Sequence, residues 1–318
     1  MERQSATGSP VVICECFCRD GLQHEPTILD TATKVRLVDR LSALGFGRIE
    51  ATSYSNPAVI AQFADASDVL RGIQRKSGVY YKATCANLRA VQRAVADLDK
   101  GYGANEISVL VSASESHSQK NLKRSRAQQW DNIRAMVALA ADRFRIIGTI
   151  SVAFGCPFEG RVAVEQVLDD VRRFRALGVR HITLGDTTGM ATPETTKHLF
   201  GDMMRVAPDA TPIAHFHDSR GTALLNYVAA YEAGVRYFDS ALGGVGGHPH
   251  QVKYGGGYTG NACTEDLVGL FESMGIATGI DKDGLLEASA LCEQVLGRPL
   301  NSHIARTGWN PLVNTHDR

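Results

Sequence analysis

Thr211-Pro212-Ile213-Ala214-His215-Phe216-His217-Asp218-Ser219-Arg220-Gly221 reads as a strand running into a polar loop, and a helix follows from Thr222 to Ala233. That one strand-and-helix unit decides the fold, because the chain repeats it. Extended, the stretch places His215 and His217 on one face and Phe216 on the other. Imidazole is the commonest protein metal ligand. The pair reads evenly as part of a metal site or as two polar histidines hydrogen-bonded to neighbours. Two ligands do not complete a site, since structural sites take about four.

Working outward, Val11 to Phe17 is a β-rich run, followed by the loop Cys18-Arg19-Asp20-Gly21-Leu22-Gln23 and by helical spacing from Thr31 to Leu44 that stops at Gly45. The strand Gly47 to Thr52 precedes a helix from about Asn56, and Gly78 to Cys85 precedes Asn87 to Leu98. Glu106 to Ala113 precedes a basic loop and a long helix, Asn121 to Ala141. Arg145 to Ala153 precedes Val164 to Leu177, and His181 to Gly185 precedes Thr192 to Val206. An eighth strand, Val235 to Ala241, precedes a glycine-rich stretch and the helix Thr264 to Met274. Eight such units predict an α/β fold, a single (β/α)8 TIM barrel over residues 10–275, with an open doubly wound sheet as the runner-up. Residues 276–318 form a C-terminal helical extension, with a helix from Asp283 to Leu296 and a polar tail that reads as an arm over the barrel or as disorder.

Composition narrows the function. In 318 residues, 34 Lys and Arg balance 34 Asp and Glu, so no excess charge points to nucleic acid or an anionic membrane. No apolar run approaches the roughly 20 residues of a membrane span. The polar opening, Met1 to Pro10, lacks a signal-peptide core, so a cytoplasmic protein is expected. Seven cysteines fit free thiols in a reducing compartment better than a disulfide framework.

A barrel of this kind gathers its active site at the carboxyl ends of the strands. Arg19 and Asp20, Glu50 and Ser53, Ser112 and Glu115, Asp186 and Thr187, and the two histidines all fall there. Each alone could be a satisfied rim residue or a helix cap, and Thr192 and Asp283 are read as caps. The set together reads as one site. Within Leu242 to Gly260, Gly255-Gly256-Gly257-Tyr258-Thr259-Gly260 matches a dinucleotide fingerprint, but no adequate strand precedes it, so the match is accidental. The glycines suggest instead a mobile loop over the barrel mouth, carrying His248 and His250.

The chain resembles the 3-hydroxy-3-methylglutaryl-CoA lyase family over nearly its whole length. The resemblance is carried by Arg19-Asp20-Gly21-Leu22-Gln23, Ile49-Glu50-Ala51-Thr52-Ser53, Ser112-Ala113-Ser114-Glu115 with Lys120-Asn121, Gly155-Cys156-Pro157-Phe158-Glu159-Gly160, Gly185-Asp186-Thr187-Thr188-Gly189, His215-Phe216-His217-Asp218 and Gly260-Asn261-Ala262-Cys263-Thr264-Glu265-Asp266-Leu267. It implies that Asp20, His215, His217 and Asn261 bind a divalent cation with Glu50 beside them. Oxygen and imidazole donors suit Mg2+ or Mn2+ better than a thiolate-seeking metal, with zinc as the further candidate.

The implied reaction cleaves a carbon–carbon bond of a 3-hydroxyacyl-CoA to acetyl-CoA and a keto acid. Arg19 would stabilise the enolate oxygen, and Asp186, Glu50 or a metal-bound histidine would take the hydroxyl proton. Gln23, Ser53, Ser112 and Asn121 are the expected substrate-binding residues. Acyl-CoA is the expected partner and a homodimer the expected assembly. Lyases of the family carry a cysteine in a Gly-Gly-Cys-Pro loop, where this chain has Gly246-Gly247-His248-Pro249. Either His248 or His250 replaces that thiol as the acid, or the substrate differs, with citramalyl-CoA or a longer 3-hydroxy-3-alkylglutaryl-CoA as alternatives. A catalytically inactive CoA-binding protein is the non-enzyme alternative.

Overall fold

Alternation inside each strand sets the architecture. In the computed structural model, which describes residues 10–246 and 260–311, eight parallel strands close into a barrel in chain order. They are β1 (Val12–Glu15), β2 (Arg48–Ser53), β3 (Tyr80–Cys85), β4 (Glu106–Ser112), β5 (Arg145–Ser151), β6 (His181–Asp186), β7 (Thr211–Phe216) and β8 (Tyr237–Ser240). Closure comes from β8 pairing back onto β1, with Val12 opposite Tyr237 and Glu15 opposite Ser240. An open sheet is therefore ruled out, and the (β/α)8 barrel expected from the repeated units is the fold.

The helices between strands are α1 (Thr31–Ser42), α2 (Ala66–Gly72), α3 (Leu88–Asp99), α4 (Glu115–Leu122), α5 (Arg126–Ala140), α6 (Val164–Ala176), α7 (Pro193–Val206) and α8 (Ala223–Glu232). After β8 come α9 (Thr264–Ser273), α10 (Lys282–Leu296) and the short α11 (Ile304–Thr307). No helix among the described residues is long and apolar enough to cross a membrane.

The outward faces of the strands carry the apolar residues. On β5, a Cβ added to Gly148 would come within 2.7 Å of the Phe174 ring on α6, so this position points at the helices, and its register partner on β4 is Val109. Ile49, Ala83, Ile107, Val109, Ile150, Leu184 and Phe216 are all buried in one continuous cluster with the helix faces. Each large side chain buried this way contributes roughly 1.5–3 kcal/mol. The inward positions are mostly polar, apart from Ile147 and Ile213: Ser108 of β4 meets Thr149 of β5 at 2.8 Å, and Arg48 of β2 reaches both Glu106 of β4 and Asp239 of β8. An apolar outer layer and a charged interior follow from one period-two pattern.

Several local details differ from expectation. The long helix expected over residues 121–141 is two helices, because Lys123 adopts a left-handed φ of 55° and Ser125 restarts the chain with a capping box to Gln128. The helix expected from about Asn56 begins at Ala66, since Asn56 instead folds a turn in which its Oδ1 accepts the Ala58 N–H at 3.1 Å. Thr192 caps α7 as expected, but α10 is capped by Asp281 rather than Asp283. The tail is an arm over the barrel as far as residue 311. Leu300 is buried against Gly243, where a φ of 59° favours glycine and an added Cβ would come within 2.3 Å of the Leu300 side chain, and Asp266 accepts the N–H groups of His303 and Ile304.

Candidate active site

The site starts at the end of β1. Glu15 is fully buried, and its Oε1 accepts the Phe17 and Leu242 N–H groups at 2.8 and 3.0 Å while Oε2 accepts the Thr264 hydroxyl at 2.6 Å. One carboxyl thus ties the β1 exit to the root of the glycine-rich stretch and to the start of α9. Burial pushes its pKa up to about 8. Beyond it, Phe17–Gly21 forms a single π-helical turn that presents Arg19 and Asp20 to the barrel mouth. Such turns recur at functional sites.

Arg19 is pinned on three sides. Its Nε lies 2.7 Å from Glu50 Oε1, and its Nη1 donates to Asp20 Oδ1 at 2.9 Å and to Gln23 Oε1 at 3.1 Å. Glu50 Oε1 also accepts the Thr84 hydroxyl at 2.6 Å and lies 3.5 Å from Lys82 Nζ. Burial pushes the Glu50 carboxyl up, but Arg19 and Lys82 outweigh it and hold the group below its ordinary value. A register shift in β2 between Glu50 and Thr52 re-aims the strand end next to this cluster, as bulges beside active sites do.

Asp20, His215 and His217 converge, with one ligand atom from each lying within 4.8 Å of the others. The two imidazole Nε2 atoms are 3.2 Å apart, and Asp20 Oδ2 lies 3.8 Å from the first and 3.5 Å from the second. Burial raises the Asp20 carboxyl, and Arg19 with the two histidines overcomes this and holds it well below the usual carboxylate range. Asn261 completes the group from across the mouth, paired with His217 in an isolated antiparallel bridge. Its Nδ2 donates to Asp20 Oδ2 at 2.8 Å and to the Val245 carbonyl at 2.9 Å, which leaves a buried Oδ1 without a partner. An anchored amide with a spare oxygen, one carboxylate and two imidazoles make a donor set that fits a divalent cation.

A second group, Cys14, Cys16 and Asp239, is equally close-set, but it already has its cations. Arg48 Nη1 donates to Asp239 Oδ1 at 3.0 Å, and Lys82 Nζ lies 3.5 Å from Oδ2. A further cation there would face two buried positive groups. The Cys16 thiol is pushed well above its ordinary value, first by burial.

The other expected residues divide. Asp186 ends β6, almost fully buried, and its two oxygens accept the Met190 and Ala191 N–H groups at 2.7 and 3.0 Å. Burial pushes its pKa up against those bonds. Ser53 is engaged with Ser55 at 2.7 Å and the Thr84 carbonyl. Ser112 lies on the β4 side of the mouth, with its hydroxyl 2.9 Å from His117 Nδ1. Asn121 stands half-buried on α4. Those three sit at the mouth without joining the Arg19–Asp20–histidine cluster through a hydrogen bond among the described residues. His248 and His250, and the G-x-G-x-x-G match apart from Gly260, lie outside the described residues. Sequence reading missed Arg48, Lys82, Thr84 and Asp239. The available signal was charge at inward strand positions, since Asp239 is the register partner of His215.

The HMGL-like family model matches residues 10–292. The chain belongs to that family. Human mitochondrial hydroxymethylglutaryl-CoA lyase is 37% identical over 297 residues, covering 93% of this chain and 89% of that one. Hydroxymethylglutaryl-CoA lyase YngG of Bacillus subtilis is 37% identical over 92% of this chain and 95% of its own length. Among solved structures, an HMG-CoA lyase from Acinetobacter baumannii in complex with coenzyme A and 3-methylmalate superposes with a TM-score of 0.88 at 38% identity, covering 98% of both chains. The chain is thus an enzyme of the HMG-CoA lyase type, a carbon–carbon lyase on a TIM barrel.

Proposed function

We propose that the protein is a divalent-metal-dependent lyase that cleaves 3-hydroxy-3-methylglutaryl-CoA, or a close 3-hydroxyacyl-CoA, to acetyl-CoA and a keto acid. The observation that carries the reading is the convergence of Asp20, His215, His217 and the partnerless Asn261 Oδ1 beside a pinned Arg19. A divalent cation, Mg2+ or Mn2+, would supply Lewis acidity there. Its holders would be those four side chains. The coenzyme A and 3-methylmalate held by the A. baumannii relative support a CoA thioester of a short branched hydroxy acid as the substrate.

The chain's own residues divide the remaining work. Arg19 stabilises the thioester oxygen as it becomes an enolate, and Glu50 and Asp20 fix the guanidinium so that little reorganisation accompanies the reaction. Glu50 is a weak base, because Arg19 and Lys82 hold its carboxyl below the ordinary value, even though its partners all sit on Oε1 and its buried Oε2 has none. The histidine Nε2 atoms point into the ligand group. Asp186, held only by backbone N–H groups, is left to take the hydroxyl proton. His248, or His250, in the glycine-rich stretch of the sequence delivers a proton to the acetyl-CoA carbon. The assembly is a homodimer, checked by light scattering.

The test is a panel of 3-hydroxyacyl-CoA esters assayed for acetyl-CoA release before and after rigorous chelation, with the carbonyl product identified. Metal-dependent cleavage of 3-hydroxy-3-methylglutaryl-CoA is the expected result. Pyruvate from citramalyl-CoA at a higher kcat/KM would reassign the substrate. A protein inert to the whole panel with Mn2+ present would be a CoA-binding module.

A further inference from the structure

His215 stands between two carboxylates. Its Nε2 faces Asp20 Oδ2 at 3.8 Å and the His217 Nε2 at 3.2 Å, while its Nδ1 faces Asp239 Oδ2 at 3.7 Å. The Nδ1 separation is longer than a closed hydrogen bond, but a buried carboxylate faces that nitrogen, while Nε2 lies closer to His217 Nε2 than to Asp20 and is placed to accept from it, which together favour the tautomer with its N–H on Nδ1. Asp239 is 2% exposed and does not choose its own position: Arg48 donates to Oδ1 at 3.0 Å, Lys82 lies 3.5 Å from Oδ2, and Arg48 is itself held by Glu106 at 2.9 Å. The clamp is built into the barrel, because β8 sets Asp239 opposite His215 in register and β2 and β3 supply its two cations.

A neutral imidazole ligates through Nε2 only when its proton is on Nδ1. We propose that Asp239, clamped by Arg48 and Lys82, is a positioning residue that keeps the His215 proton on Nδ1 and aims the Nε2 lone pair at the Asp20–His217–Asn261 group. The proposal rests on the metal reading of that group. It adds a role for a buried acid that the reaction itself does not touch. Lys82 extends the same clamp to the other half of the site, since its Nζ is 3.5 Å from Glu50 Oε1 and Glu50 in turn holds Arg19.

The competing explanation is that Asp239 only neutralises Arg48 and Lys82. Metal-free protein separates the two. At about pH 8, where an unperturbed imidazole is neutral, 15N-histidine NMR should show His215 as the Nδ1–H tautomer, and an Nε2–H ring would overturn the proposal without any variant. Mn2+ binding followed by electron paramagnetic resonance should weaken roughly 10- to 100-fold in Asp239→Asn. Because that variant leaves Arg48 and Lys82 short of an anion, Lys82→Met/Asp239→Asn is the deciding protein. It removes one charge of each sign, so thermal stability should recover toward the parent while Mn2+ affinity stays low. Recovery of affinity together with stability would show a purely structural role and refute the proposal. If the parent binds no Mn2+, or His217→Ala binds it as tightly as the parent does, the metal reading itself fails. If the parent binds and Asp239→Asn binds equally well, only the inference about Asp239 fails.

Discussion

Replacing Glu15 by glutamine should remove a pH dependence of stability without disturbing the site it supports. Glu15 Oε1 accepts two backbone N–H groups, and Oε2 meets the Thr264 hydroxyl, whose oxygen is also 2.8 Å from Ser240 Oγ. A neutral carboxylic acid satisfies all of these: Oε1 keeps both N–H groups, the acid proton goes to Thr264, and Thr264 turns its own hydrogen to Ser240. Glutamine does the same with its amide nitrogen in place of the acid hydroxyl. Burial pushes the folded pKa up to about 8, against an ordinary glutamate value of 4.5. The folded state therefore binds the proton more readily than the unfolded chain does. The stabilising contribution is full below about pH 4.5 and is lost as pH rises toward 8, and at about 1.4 kcal/mol per unit it is worth several kcal/mol. Urea unfolding at stepped pH should show Glu15→Gln and the parent nearly equal at about pH 5, with the variant more stable by a few kcal/mol at about pH 8.5 and the m-values matched. Parallel stability curves from pH 5 to 9 would refute the reasoning, because they would mean that Glu15 is ionised in the folded protein at every pH tested.

His217→Ala removes one of two imidazoles from the ligand group, so bound metal measured by elemental analysis and turnover should both fall, with unchanged activity after chelation as the contrary result. Arg19→Lys keeps a positive charge but cannot serve Glu50, Asp20 and Gln23 together, and kcat should drop roughly 100-fold with Mn2+ occupancy retained. A kinetically silent Arg19→Lys would take the guanidinium out of the reaction. His248→Ala should lower kcat and flatten the limb of its pH profile near the ordinary imidazole value of about 6.5. Thiol alkylation should leave the parent active, since all seven cysteines are buried and Cys263 donates to Glu265 Oε2 at 2.9 Å, and Cys263→Ser controls for blockage by bulk.

The barrel was legible because the strands carry most of their apolar residues on the face that meets the helices, and that pattern is local. Val109 and Val111 on β4, or Ile182 and Leu184 on β6, announce a strand whatever lies elsewhere in the chain. Arg19, Asp20, Glu50 and the histidine pair were legible for a related reason: each sits where a strand gives way to a loop, the rim on which such barrels build sites. Asn261 was reachable only through the family resemblance, since it enters from the far side of the glycine-rich stretch. The interior clamp was not legible. Arg48, Lys82 and Asp239 meet only when β2, β3 and β8 close around one axis, and no window of sequence contains that register. The helix break before Ser125 had a readable cap in Ser125 and Gln128, but the left-handed Lys123 that forces it carries no residue-type signal.

Charge balance in the barrel ties the site to its substrate. Four buried or nearly buried acids, Asp20, Glu50, Glu106 and Asp239, are matched by Arg19, Lys82, Arg48 and Arg145, each within ion-pair distance of at least one of them. This cluster thus supplies no net negative charge to offset a doubly charged cation, Asp20, the carboxylate proposed to hold it, is already shared with Arg19, and the further acid at the mouth, Asp186, offers at most one charge. The missing negative charge must arrive with the substrate, as the free carboxylate of a hydroxy diacid thioester and the oxygen that becomes its alkoxide. Interactions between charges in such a water-poor interior are strong. Cation and substrate should therefore bind with mutual reinforcement, and the reinforcement must be equal in both directions. Mn2+ affinity should rise more in the presence of a non-cleavable diacid thioester than with the corresponding monoacid thioester. An equal effect of both would show that the thioester oxygen, not the carboxylate, supplies the offsetting charge.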